Sequence, residues 1–247
     1  MLDRGMDQAA GLRRMVQPAV PSLMAFPVTG SAASLWIAQL AHAMRAQGHK
    51  PVVIDAGRGA LAGSFGLKLR HDLLDMMQGE RQFDEVAQAT ADGVWVLRAE
   101  RGVEAFVASG APAQRLFSGF AGLSHGFDAL LLAMPAAELA CLASPAQAVP
   151  VLPLEPGEDA LVRAYTTIKE MATGFGYSRF SIVTQGVANA QQARQAHARL
   201  ASAVRSFLHC DVQLAGWLPR PPQDAAPALA ELAQSLMHTA ATPLVLH

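Results

Sequence analysis

Apolar residues along the chain fall in short, nearly unbroken runs rather than in polar–apolar alternation. SLMAFPV at 22–28, PVVID at 51–55, GVWVL at 93–97, FDALLLA at 127–133, VPVL at 149–152 and RFSIVT at 179–184 are dense in β-branched and apolar residues and read as strands. A last short run at 212–214 leads into GWLP at 216–219. Between them the period changes to that of a helix, at 35–47, 73–77, 160–171 and 190 to about 209. Strands apolar on both faces belong inside a parallel sheet covered on each side by helices. The predicted fold is therefore α/β, a mostly parallel sheet flanked by helices, opening with strand, tight turn, helix and strand as one βαβ unit.

A separate helix is predicted ahead of this body, over 7–16. Asp7 is its N-cap, and Leu12, Met15 and Val16 share one face. Pro18 and Pro21 then break the pattern. The expected organisation is a helix and tether over 1–21 and a single α/β domain over 22–247. Near the other end, Leu229, Leu232, Ala233, Leu236 and Met237 form a helical stripe after Pro227. Its polar face (Glu231, Gln234, Ser235, His238) has no Lys or Arg, so core packing is favoured over a membrane-surface role.

Composition narrows the function. Of 247 residues, 51% are hydrophobic and 16% charged, with a formal net charge of −1, which excludes a disordered regulator and argues against broad nucleic-acid binding. Cys141 and Cys210 are isolated, and the eight His residues lack metal-ligand spacing. The apolar stretch 129–143 is interrupted by Pro135 and Glu138 and is too short to span a bilayer. With no secretory signal read at the start, a cytoplasmic protein is expected. Trp36, Trp95 and Trp217 are assigned to packing rather than to base stacking. Of the 19 basic residues only Lys50, Lys68 and Lys169 are lysines, so a lysine-dependent mechanism must use one of three positions.

In such a sheet the turn after the first strand is the place for a phosphate, and a cradle there needs glycines and a lysine. The turn VTGSAAS at 28–34 has one glycine and no lysine. By itself it reads as an ordinary β–α turn.

The surrounding segments AFPVTG at 25–30, IAQLAHAM at 37–44 and GHKPVVIDA at 48–56 resemble the MinD/ParA ATPases, with their deviant Walker motif and following helix and strand. MDQAAGLRRM at 6–15 resembles the DQAxxLR activating helix of the FlhG (FleN) branch, regulators of flagellar number and placement. LLDMMQGE at 73–80, Glu155-Pro156 with Ala164-Tyr165 and Ile168-Lys169, and GWLP at 216–219 are further likenesses, so the resemblance spans roughly residues 6–222.

That resemblance implies a nucleotide site whose residues have mostly been replaced. The family's signature lysine falls on Val28 and its Walker lysine on Ala33, while of the loop glycines only Gly30 is kept. Ser34 retains a hydroxyl where the family binds magnesium. Asp55 is kept, but the switch I aspartate is Gly57, the Walker B aspartate is Ala133, and the base-contacting Asn is Gln185. A charge-assisted hydrogen bond to phosphate contributes roughly 1.5–3 kcal/mol, so two missing lysines alone remove much of the affinity. The expectation is a pseudo-ATPase without bound ATP or magnesium; a body that still binds ATP through backbone amides, Ser34 and Asp55 is the alternative.

The resemblance assigns activity to the N-terminal helix. In the family this helix stimulates FlhF, a signal-recognition-type GTPase marking the flagellar pole. Gln8 would orient the attacking water or local charges, Asp7 would cap, and Leu12 and Arg13 would dock. The expected partners are an FlhF-like GTPase and flagellar assembly components, with no nucleic acid and no firm membrane contact. The plainer reading of 1–21 is a fraying amphipathic terminus, and the plainer rival function is a positioning factor for cell division or another polar machine.

Overall fold

The computed structural model describes residues 21–28, 34–57, 60–121, 123, 126–221 and 224–241. The appended helix predicted over 7–16 lies outside them. β1 (Ser22–Pro27), β2 (Pro51–Asp55) and β5 (Ala129–Met134) form the centre of a parallel sheet. Every residue of β2 and β5 is buried, as their unbroken apolar sequence requires. β4 (Trp95–Arg98) pairs outside β2, and the two-residue β3 (Gln88–Ala89) runs antiparallel at that edge. On the far side β6 (Val151–Leu154), β7 (Arg179–Val187) and β8 (Asp211–Pro219) are parallel, joined to β1 by a bridge between Ala25 and Pro150. The strand order is thus β3-β4-β2-β5-β1-β6-β7-β8, with β5 inserted between the first two strands.

Two apolar layers follow from the period-2 geometry of the central strands. On β5, Ala129, Leu131 and Ala133 face one layer while Leu130, Leu132 and Met134 face the other. The first layer is closed by α1 (Ser34–Ala46), through Trp36, Ile37, Leu40, Ala41 and Met44, with α2 (Ala60–Ser64) beside it. The second is closed by α3 (Leu73–Met77), α4 (Phe83–Val86), α5 (Glu100–Ala108), α6 (Ala113–Ala121), α7 (Ala136–Leu142), α8 (Glu158–Phe175) and α9 (Ala190–Leu208). α1 stops at Gly48 (φ 91°), where a left-handed residue lets the chain turn back toward β2.

The C-terminal helix α10 (Ala226–Ala241) returns to the first layer. Leu229, Leu232, Ala233 and Leu236 are buried there, and Gln47 Nε2, just past the end of α1, donates to Ala230 O at 2.8 Å. Its apolar stripe is core, as the missing basic residues suggested.

Several boundaries differ from the sequence expectation. The strands expected at 93–97 and 149–152 begin two residues later, at Trp95 and Val151, and the two pieces read at 212–214 and 216–219 are one strand, β8, with an irregularity in its pairing to β7 between Leu214 and Gly216. α2, α4, α5, α6 and α7 were not foreseen. These are short segments whose apolar residues are set by packing on the sheet rather than by a long helical period.

Candidate functional site

Three strand ends meet where the turn after β1 begins. Val28 N–H donates to Met134 O at 3.0 Å, Ala56 N–H donates to Ala133 O at 2.9 Å, and Ala133 is the register partner of both Phe26 and Asp55. Gly57 sits in the middle. A Cβ built on it would lie 2.9 Å from Val28 Cγ2, 3.4 Å from Asp55 Oδ1 and 3.9 Å from Ala133 O. Val28, Asp55, Gly57 and Ala133, four positions named from the sequence, are therefore one cluster. Val28 is buried, its methyl group seated where any side chain at position 57 would begin.

Asp55 is the one carboxylate of the cluster, and it is fully buried. Its Oδ1 accepts from Gly57 N–H at 3.0 Å, and its Oδ2 from Leu61 N–H at 3.1 Å and Ala62 N–H at 3.3 Å. Burial raises its pKa above the ordinary carboxylate value, against the lowering effect of the Gly57, Ala62 and Leu61 amides and of Arg98, its register partner on β4. The carboxylate is satisfied by the chain itself, tying the end of β2 to the backbone of α2 through Leu61 and Ala62. No ammonium and no second carboxylate among the described residues bonds to it. Among the described residues no three His, Cys, Asp or Glu side chains gather as a metal ion would require.

Gln185 stands apart from this cluster, near the end of β7 where the pairing with β8 is irregular. It lines a cleft of about 850 Å³ bounded by Leu35, Trp36 and Gln39 of α1, by Glu155 and Pro156 after β6, and by residues from Leu218 to Leu229. A cleft at the carboxyl ends of parallel strands is where α/β folds of this kind take ligands. Its apolar wall is Trp36, edge-on to Phe26 at 5.4 Å between ring centres. The Trp36 Nε1 and Gln185 Nε2 donors are both buried with no hydrogen-bond partner among the described residues. Sequence reasoning gave Trp36 to packing, and it is packed; its place in the cleft wall was not foreseen. Of the other tryptophans, Trp95 and Trp217 are half-buried.

The remaining sequence-derived positions divide in two. Ser34 opens α1, whereas Gly30 and Ala33 in the turn, and Asp7, Gln8, Leu12 and Arg13 in the N-terminal motif, lie outside the described residues. None of the three lysines belongs to the cluster. Lys50 is exposed at the start of β2, the opposite end of that strand from Asp55; Lys68 is exposed in the segment after α2; Lys169 is on the exposed side of α8.

No family model matches the chain, and no curated protein matches it. Solved structures do. The MinD cell division protein of Aquifex aeolicus superposes with a TM-score of 0.63 at 15% identity, covering 87% of this chain and 96% of that one. Apo McdA of Cyanothece gives 0.55 at 14% identity over 88% and 96% of the two chains. A putative plasmid partition protein of Borrelia burgdorferi B31, bound to AMPPNP, gives 0.58 at 8% identity over 89% and 99%. The strand order, the two helix layers and these superpositions together give this chain the fold of MinD-type P-loop nucleoside triphosphatases.

Proposed function

We propose that this chain is a degenerate FlhG-like, MinD-type regulator of flagellar number or placement, whose own ATP binding and hydrolysis have been lost. It acts through Asp7, Gln8, Leu12 and Arg13, with Gln8 presented to the nucleotide site of an FlhF-like GTPase. The observation that carries the loss of ATP is the Val28–Gly57 contact. Val28 stands where a lysine is expected, its methyl lies 2.9 Å from where a side chain at position 57 would begin, and Asp55 is committed to three backbone amides. Losing two lysine–phosphate bonds at roughly 1.5–3 kcal/mol each weakens binding by about two to four orders of magnitude. The body then serves as a scaffold in the cytoplasm or at the pole, requiring neither ATP nor magnesium and working with flagellar assembly components.

Two experiments separate the halves of this reading. GTP turnover by the FlhF-like partner is expected to rise on adding the full chain and not on adding Gln8→Ala; no stimulation by the unaltered chain sinks the activator role. Titration calorimetry with ATP and magnesium is expected to give no heat up to millimolar ligand. A micromolar isotherm would instead support a second reading, a MinD/ParA-type ATPase that positions cell-division or other polar machinery. One observation favours that rival: a cleft of about 850 Å³ lies beside Gln185 and Trp36 at the carboxyl ends of the strands.

A further inference from the structure

We draw no further inference here: the strongest candidate, the cleft between the first turn of α1 and the ends of β7 and β8, belongs to the site already described, and its two unpartnered donors are buried in the cleft wall.

Discussion

At the scale of single residues, the cluster at the strand ends is held by complementary sizes. Val28 fits because position 57 has no side chain, and Gly57 is required because Val28 is there. Gly57→Ala is expected to destabilise the protein by about 1–3 kcal/mol through overpacking. In a Val28→Ala background the same change is expected to cost clearly less. A double-mutant cycle by denaturant unfolding measures this coupling, and strict additivity would contradict the contact. His209 offers a gain instead. It ends α9 in the left-handed region (φ 55°), where a side chain is strained, and it is exposed. His209→Gly should raise stability by about 1 kcal/mol, read as a higher unfolding midpoint with an unchanged slope.

Individual elements are joined by aspartates that accept from backbone amides at one junction and from side chains at another. Asp72 is buried and caps α3 through Leu74 N–H at 3.0 Å, while also accepting from Gly102 N–H at 2.8 Å and Arg101 N–H at 3.3 Å in the first turn of α5. Gly102 lets the helices approach this closely, since a Cβ on it would lie 2.6 Å from Leu73 Cβ. Asp72→Ala leaves these donors unmet and is expected to cost about 2–3 kcal/mol in unfolding free energy. A second junction ties α1 to the β3–β4 turn. His42 Nδ1 lies 2.7 Å from Asp92 Oδ2, Thr90 Oγ1 donates to Asp92 Oδ1 at 2.5 Å, and Arg45 Nε donates to Asp92 O at 2.7 Å. Burial opposes ionisation of Asp92, but the Thr90 hydroxyl and His42 outweigh it and hold its pKa below the ordinary 3.8. A lowered folded-state pKa means this contribution is present above pH 3.8 and is lost as pH falls through the lowered value. Asp92→Asn should therefore be less stable than the unaltered chain near neutrality, and the difference should shrink on acidification below that point.

The whole molecule is organised around a sheet whose carboxyl edge carries two regions, the tightly packed Val28–Gly57 cluster and the cleft beside Trp36 and Gln185. Dimers that depend on a shared nucleotide need charge at the turn, and Val28 supplies none. Light scattering is expected to give the mass of one chain, 26.0 kDa, with and without ATP and magnesium; a nucleotide-dependent doubling would contradict the proposed loss of ATP binding. Nor is α10 free to act as an amphipathic anchor while folded. Its apolar stripe is buried on α1 and β8, and among the described residues no helix is long and apolar enough to cross a membrane.

The sequence by itself determined the α/β class and the succession of the long strands and helices. The reason is local: runs such as ALLLA at 129–133 can be buried only inside a sheet covered on both faces, and a helical period needs no partner to be visible. Tertiary structure decided what local pattern cannot carry. The insertion of β5 between β1 and β2, the short helices α4 to α7, and the meeting of Gly57 with Val28 across some thirty residues of chain depend on contacts between distant segments. Sequence named Val28, Asp55, Gly57 and Ala133 as substituted or retained positions. Only the packing showed that a valine methyl occupies the space beside a glycine, and that the Asp55 carboxylate is bound to its own backbone.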